Sequence, residues 1–171
     1  VLETRYETLT QSVLENEVKG RIIQDNGSAN LFPMWNEDGS KIAFLSNQDH
    51  DYFGSTDLFI YDMKTKASKK IAKGIYSKPA WNKNVIYYSK KAMKPNKVGS
   101  RYYDLYEYNF RTKKEFQITR DGRAFSPVFS SNDSTLFYLS TKDGTQNIFK
   151  IDLNSKFIEQ MTRLNNREIL G

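Results

Sequence analysis

The residues that could perform chemistry are concentrated in two polar loops, and the first of them has the composition of a calcium site. The stretch "SNQDHDYFGSTD" carries His50, the only histidine of the chain, with Asp51 and Tyr52 directly after it. Calcium prefers carboxylate oxygens, but the EF-hand pattern also requires Gly at its sixth position and Glu at its twelfth. A frame that starts at Asn47 offers Tyr52 and Leu58 instead. We therefore expect a solvated polar loop without a bound metal ion or cofactor.

A second loop combines basic and aromatic residues. The stretch "KKAMKPNKVGSRYY" contains Lys94, Lys97 and Arg101 beside Tyr102. Interleaving of this kind is what phosphate contact and base stacking would require, and the net charge of +6 is compatible with an acidic partner. No groove-reading motif accompanies the loop, so nucleic acid is not the partner that we expect. A solvated insertion and a contact surface for an acidic ligand both remain open.

Motifs of the common enzyme classes are missing from the sequence. The chain has no cysteine and one histidine, which excludes a thiolate nucleophile and leaves little for a hydrolytic triad. It contains neither a G-x-S-x-G nucleophile elbow nor a G-x-x-x-x-G-K-[ST] phosphate loop. No apolar run approaches the roughly 20 residues that span a bilayer. We therefore expect no catalytic residue in this chain and no membrane span.

The elements that must position these loops are strands of a repeated unit. Three segments begin at Pro33, Pro79 and Pro127, spaced by roughly 47 residues, a period typical of repeat architectures: "PMWNEDGSKIAFLS", "PAWNKNVIYYS" and "PVFSSNDSTLFYLS". Two further matching segments follow each of them: "DLFIYDMKTK", "DLYEYNFRTK" and "NIFKIDLNSK", then "KKIAKG", "FQITRDG" and "EQMTRLN". Each unit is therefore predicted to contain four strands joined by turns.

Turn residues mark the hairpins within each unit. Asp38-Gly39 supplies the positive φ of a tight hairpin between the first two strands, and Asn84 and Asn132-Asp133 can replace it less well. Where the third strand ends, we expect side-chain bonds to the following backbone from Asp62, Asn109 and Asp152. The three repeated prolines suit the first residue of a strand, because no ladder donor is lost there.

The second strand of each unit is apolar on both faces. In "KIAFLS", Ile42 and Phe44 point one way while Ala43 and Leu45 point the other. Such a strand belongs to a sheet that lies between two other sheets, as in radially stacked four-stranded blades. We expect the aromatic residues of the first strands to fill the blade core rather than to form a stacking platform: Trp35, Trp81 and Phe129.

The repeat resembles a known family. "PMWNEDGSKIAF" with "DLFIYD" and "KKIAKG" is similar to the TolB-like, WD-type β-propeller repeat, over roughly residues 18 to 163. The resemblance implies an all-β fold, namely a β-propeller segment of about three four-stranded antiparallel blades plus part of a preceding blade. The expected blades span residues 26–73, 74–120 and 121–163. Residues 1–25 are expected to be the tail of the preceding blade, or a short helix plus strand, and residues 164–171 a linker toward a missing blade.

The fold would bring particular loops together. In a propeller, the loops between the second and third strands emerge on the same face as the loops that lead from one blade to the next. Long loops on one face of a repeat array commonly form its binding surface. We therefore predict a loop face that carries the candidate binding residues His50, Asp51, Tyr52, Lys94, Lys97, Arg101, Tyr102, Arg120, Arg123 and Phe125.

The leading functional hypothesis is a non-catalytic binding or scaffold module that contacts a protein or an envelope component through the loop face. The resemblance implies a bacterial, extracytoplasmic (periplasmic) setting. The alternative is the propeller domain of a larger peptidase of the prolyl oligopeptidase or tricorn type, with its catalytic domain outside this chain. Three blades would be a fragment of a longer propeller, unless two copies close a ring of about six blades as a homodimer.

Overall fold

The computed structural model describes residues 29–50, 54–92, 102–120, 122–130 and 134–165. Within these ranges the regular elements are twelve β-strands, and no helix is present. The strands pair in antiparallel sheets and belong to two compact units, the first ending at Ile75 and the second beginning at Tyr76. The predicted all-β fold is confirmed. The predictions for residues 1–25 and for most of the linker after residue 163 lie outside the described residues.

The first unit contains a four-stranded antiparallel sheet whose strands follow the order of the sequence: β1 (Asn30–Trp35), β2 (Lys41–Ser46), β3 (Thr56–Asp62) and β4 (Ala67–Ile75). As predicted, β2 is buried on both faces, since its residues from Ile42 to Leu45 are at most 5% exposed. Phe44 pairs with Phe59 of β3, and their rings stack with centroids 5.7 Å apart. Aromatic cross-strand pairs of this kind stabilise an antiparallel sheet.

The second unit contains two four-stranded antiparallel sheets. The first sheet has β5 (Ala80–Asn82), β6 (Val85–Ala92), β7 (Tyr102–Asn109) and β8 (Lys114–Gln117); the second has β9 (Ala124–Phe129), β10 (Thr135–Ser140), β11 (Asn147–Asp152) and β12 (Ile158–Gln160). The two sheets share an apolar core in which Tyr87 and Leu105 join Leu136, Tyr138 and Phe149. Burial of these side chains away from water is the main force that holds the two sheets together.

The hairpins between the third and fourth strands use one common turn. As predicted, the side-chain oxygens of Asp62, Asn109 and Asp152 each accept the backbone N–H groups two and three residues later, at 2.7 to 3.1 Å. Each turn ends on a lysine with φ between 57° and 60°: Lys66, Lys113 and Lys156. The side-chain bonds satisfy N–H groups that the sheet ladder no longer reaches, which explains why the pattern recurs in all three repeats.

The hairpins between the first and second strands differ from one another. In the first hairpin Gly39 has the expected positive φ of 69°. In the second hairpin the positive φ lies at Lys83, with 49°, and the expectation for Asn84 is wrong. Only Lys83 and Asn84 lie between β5 and β6, so the turn is short. Lys83 reverses the chain, because Asn84 already leads into β6. Asn132-Asp133 lies outside the described residues.

Two of the three repeated prolines occupy bulges rather than strand starts. Pro79 lies directly before β5, but Pro33 and Pro127 are the fourth residues of β1 and β9, so this prediction is wrong for these two. At both sites the ladder register shifts, and the preceding residue has positive φ, 54° at Phe32 and 52° at Ser126. A residue in a bulge is not paired, so the missing proline N–H costs no ladder hydrogen bond.

The aromatic residues of the first strands are not equally buried. Trp35 ends the edge strand β1 and is 56% exposed, so the prediction that it fills a core is wrong within the described residues. Trp81 is half-buried and stacks on Phe110 with centroids 5.1 Å apart. Phe129 packs against the core of the second unit, where its ring meets the edge of Tyr87.

In each sheet, a buried polar side chain near the start of the third strand is hydrogen-bonded to the chain at or beyond the end of the fourth strand. These anchor residues are Asp57, Asp104 and Asn147, and they are 0%, 2% and 3% exposed. Each accepts a backbone N–H from the end of the fourth strand or from the segment after it, at 2.8 to 3.0 Å: from Gly74 within β4, and from Gly122 and Leu164 beyond β8 and β12. Because an unsatisfied buried carboxylate or amide is costly, these bonds determine where the chain leaves the sheet.

We predict that Asp104→Ala lowers the free energy of unfolding by about 2–3 kcal/mol, because the Gly122 N–H and the Thr119 hydroxyl lose their acceptor. Asp104→Asn keeps an acceptor oxygen, as Asn147 does in the next sheet of this unit. It should therefore cost only about 1 kcal/mol. Urea denaturation followed by circular dichroism measures both losses. Equal losses for the two variants would contradict the anchoring role.

Candidate binding cleft

Four of the predicted binding residues belong to the second unit and one to the first. Tyr102, Arg120, Arg123 and Phe125 are in the second unit, and His50 is in the first. The other five lie outside the described residues: Asp51, Tyr52, Lys94, Lys97 and Arg101. Three of the four residues in the second unit come together around one cleft, whereas Arg120 is exposed and is not part of its lining.

The cleft has a volume of about 630 Å³ and lies entirely within the second unit. The lining comes from the segments that lead into β5 and β9, from the loop between β10 and β11, and from the first residues of β7 and β9: Tyr76, Tyr102, Tyr103, Arg123, Phe125, Thr141 and Gln146. Loops and the adjoining strand ends therefore meet at one place in this unit. The volume falls in the range of small-molecule sites and of pockets that receive a few side chains.

Three aromatic rings form one side of the cleft. Tyr76 stacks on Tyr103 with ring centroids 4.3 Å apart and an interplanar angle of 25°. Phe125 meets Tyr76 nearly edge-on, at 5.8 Å and 84°. Tyr76 is nevertheless 56% exposed. A large aromatic that is held in place by its neighbours and still open to solvent is typical of a binding surface.

Among the described residues of the lining, Arg123 is the only one that carries a positive charge. Its guanidinium carbon lies 4.8 Å from the centroid of the Tyr102 ring, and Nη2 donates to the Tyr102 hydroxyl at 3.4 Å. The cation–π contact orients the guanidinium without neutralising it. Among the described residues, no carboxylate forms an ion pair with Arg123. None of the described carboxylates therefore neutralises the Arg123 charge.

Unusual backbone conformations hold the segment that carries Phe125. Arg123 and Ser126 have positive φ, 41° and 52°, which costs roughly 1 kcal/mol or more for a residue with a side chain. The Ser126 N–H donates to Ser77 Oγ at 2.8 Å, and Ser77 Oγ is hydrogen-bonded to Ser89 Oγ at 3.0 Å. Because Ser77 and Ser89 are buried, they fix this segment and preorganise the Phe125 ring.

Four lining residues were not predicted as binding residues: Tyr76, Tyr103, Thr141 and Gln146. A signal for Tyr76 exists, since "YSKP" before β5 matches "FSP" around Phe125 and places an aromatic at the same point of both sheets. Tyr103 follows Tyr102 in the sequence, but only the strand pairing shows which of the two stacks on Tyr76. Thr141 and Gln146 flank an ordinary polar turn and carry no signal.

His50 contacts an anchor residue of the first unit. Its Nε2 lies 3.0 Å from Oδ1 of Asp57. In the two sheets of the second unit, a threonine hydroxyl donates to the anchor residue instead, from Thr119 and from Thr162. The matching residue of the first unit is Ala72, which has no hydroxyl. His50 occupies the place of that donor beside Asp57 and so has a structural role, and its part in ligand binding stays a prediction.

The Asp57 carboxylate is held in its charged form. Burial raises its pKa, but hydrogen bonds from Lys70, from His50 and from the Gly74 N–H outweigh burial, so that the pKa lies below the ordinary value. Lys70 lies 2.8 Å from Asp57 and 2.5 Å from Asp49, and these contacts raise the pKa of Lys70. When folding lowers the pKa of a carboxylate, its stabilisation is present above the unfolded pKa and is lost as the pH falls through the folded pKa.

We predict that the carboxylate of Asp57 makes the first unit sensitive to acid below its ordinary pKa of 3.8. Asp57→Asn should be less stable than the natural chain near pH 7, because a neutral amide pairs less well with Lys70 and His50. Its stability should also fall less between about pH 5 and pH 2, because it has no charge to titrate at this site. Urea denaturation across this interval measures both effects. Identical pH dependence in the two proteins would contradict the role of the Asp57 charge.

The groups in the cleft are suited to recognition. They comprise aromatic rings, one guanidinium, one aliphatic hydroxyl, tyrosine hydroxyls and one amide, which bind and orient a ligand at neutral pH. In the part of the chain that the structure describes, no group of three or more His, Cys, Asp or Glu is placed to hold a metal ion. The described residues also include no helix that is long and apolar enough to cross a membrane.

Solved structures match the chain, although no protein-family model and no curated protein sequence does. TolB from Acinetobacter baumannii is similar with a TM-score of 0.65 and 16% identity, over 85% of this chain and 36% of that chain. The tricorn protease gives a TM-score of 0.59 and 17% identity, over 76% and 14%. The β-propeller domain of the Trilobed protease from Pyrococcus furiosus gives 0.58 and 13%, over 79% and 43%.

These comparisons concern the fold, because all three identities are below 20%. In each case the chain spans less than half of the matched protein, so its fold corresponds to a part of each. The likeness agrees with the antiparallel four-stranded sheets and with strands such as β2 that are buried on both faces. The chain has the fold of a β-propeller segment.

Proposed function

We propose that this chain is a non-catalytic binding module that recognises a protein partner through the cleft of the second unit. The observation that supports this function is the combination of an exposed, stacked Tyr76 with the cation Arg123 in one preorganised cleft, where Arg123 has no ion-pair partner among the described residues. Tyrosine and arginine are enriched among the residues that contribute most to protein–protein affinity. Phe125 and Tyr103 surround Tyr76 and limit its motion, which reduces the entropy lost on binding.

The setting that we propose is extracytoplasmic and bacterial, with a partner in the cell envelope. Two observations support it, namely the resemblance of the repeat to the TolB-like family and the structural likeness to TolB from Acinetobacter baumannii. The net charge of +6 favours a partner with an acidic surface, because long-range attraction accelerates such an encounter.

A second function is supported by the likeness to the tricorn protease and to the propeller domain of the Trilobed protease. In that case the chain is the propeller of a larger peptidase, and the catalytic residues belong to another domain of the natural protein. This alternative predicts that the natural full-length protein reacts with a fluorophosphonate probe, which labels an activated serine. Absence of labelling in a folded full-length protein would remove the peptidase function and leave the binding module.

The binding module can be tested by photo-crosslinking in cells of the native organism. With benzoylphenylalanine at Gln146, which lines the cleft, we expect a discrete adduct with an envelope protein. Tyr76→Ala should reduce the adduct by about fivefold or more, because it removes the exposed ring at the centre of the site.

The matched controls lie on the same unit. Phe116 is 52% exposed, comparable with the 56% of Tyr76, but it lies outside the cleft, so Phe116→Ala should leave the adduct unchanged. A probe at Lys113, on the turn between β7 and β8, should give no such adduct. Equal adduct yields from the natural chain and from Tyr76→Ala would overturn the proposed site.

A further inference from the structure

The cleft combines one fixed cation with an apolar wall. Arg123 is held over the Tyr102 ring at 4.8 Å and has no carboxylate partner among the described residues. Asp143 lies in the turn between Thr141 and Gln146, but it is exposed and is not part of the lining. Among the described residues of the lining, an anion therefore meets one positive charge and no acidic side chain.

The chemistry of the cation favours a carboxylate. A guanidinium is planar and donates two parallel N–H bonds to the two oxygens of a carboxylate. The contact between Arg123 and the Tyr102 ring fixes the plane of the guanidinium, and Nη2 makes only a long bond of 3.4 Å to the Tyr102 hydroxyl. The remaining donors point to a ligand that offers a carboxylate rather than to a neutral one.

The geometry of the rings favours an aromatic side chain beside that carboxylate. Tyr76 already has Tyr103 against one face and the ring of Phe125 at a right angle, so the free surface is one ring face with an adjacent edge. An incoming aromatic ring completes such a cluster with stacked and edge-to-face contacts. A sugar would need several directional hydrogen bonds. Besides Arg123 and the tyrosine hydroxyls, the described lining offers polar side chains only at Thr141 and Gln146. The side chains of Thr141 and Gln146 are better suited to hydrogen bonds with one peptide group than to the several hydroxyls of a sugar.

We infer that the cleft binds a peptide segment in which a carboxylate lies next to an aromatic side chain. Arg123 binds the carboxylate, and the Tyr76 and Phe125 rings pack against the aromatic side chain. Thr141 and Gln146 hydrogen-bond to the peptide backbone. This inference rests on the proposed binding function and names its ligand. The carboxylate belongs either to an Asp or Glu side chain or to the end of a chain, and the two sources offer Arg123 the same group.

Fluorescence anisotropy with three labelled peptides tests the inference on the full chain. The first is GFEFG with both ends blocked, so that its only carboxylate is a side chain; the second is blocked GFQFG; the third is GFQFG with a free carboxyl end. We expect at least one of the two carboxylate peptides to bind about tenfold more tightly than blocked GFQFG, which is what one charge-assisted bidentate bond contributes. The preferred peptide identifies the source of the carboxylate. The preference should shrink at high salt.

Substituted variants show which residues cause the preference for a carboxylate peptide. Arg123→Met should abolish the difference between the carboxylate and the neutral peptides. Methionine is preferable to glycine as the replacement, because Arg123 has a positive φ and glycine would also change the backbone. Arg111→Met, which removes an exposed arginine outside the cleft, should leave the difference unchanged. Tyr76→Ala should weaken the binding of all three peptides by a similar factor.

The outcomes separate this inference from the proposed function. Equal binding of all three peptides, or no binding at about 1 mM, would overturn the inference. Digalacturonic acid, a sugar that carries carboxylates, serves as a non-peptide probe, and its tighter binding than either carboxylate peptide would also overturn the inference. A preference that survives Arg123→Met would also overturn it. The proposed function fails only if the crosslinked adduct at Gln146 does not depend on Tyr76. A Tyr76-dependent adduct without a carboxylate preference would leave the binding module intact and reject only the ligand named here.

Discussion

Each sheet depends on satisfying one polar side chain that folding removes from water. Near the start of the third strand, an acidic or amide group is buried, and bonds from the end of the fourth strand or the segment after it compensate for its lost hydration. Apolar strands drive the collapse of the sheet, but apolar contacts do not specify where the chain departs. The anchor residues do. In the second unit, the bond from Gly122 to Asp104 sets the position of the segment that carries Arg123 and Phe125.

Much of the fold follows from the repeat, because a repeated sequence must bury the same faces in each copy. The alternation in "KIAFLS" and the turns after Asp62, Asn109 and Asp152 rest on local rules and agree with the structure. Apart from the turn at Asn84, the errors concern features that local rules do not determine. The bulges at Pro33 and Pro127 depend on the register of two strands, and the exposure of Trp35 depends on what packs beside an edge strand.

The candidate site was predictable in outline but not in its geometry. The loop positions alone bring Tyr102, Arg123 and Phe125 into consideration, and these three do line one cleft. Their arrangement requires positive φ at Arg123 and the bond from Ser126 to Ser77, which connects residues 49 positions apart. His50 illustrates the opposite case. Its position in an acidic loop suggests a ligand site, whereas its contact with Asp57 compensates for a hydroxyl that Ala72 lacks.

The bulge in β9 has a consequence for how the cleft can change during evolution. Side chains alternate between the two faces of a strand, and one extra residue reverses the alternation beyond it. Phe125 precedes the bulge, while Val128 follows it and is 60% exposed. If one residue between Phe125 and Val128 were lost, the side chains on one side of the deletion would point to the opposite face of the sheet. The orientation of Phe125 is thus encoded by the number of residues in the strand, whereas the chemistry of the cleft is encoded by their identity. Substitutions can therefore diversify the ligand while the length of the repeat preserves the frame.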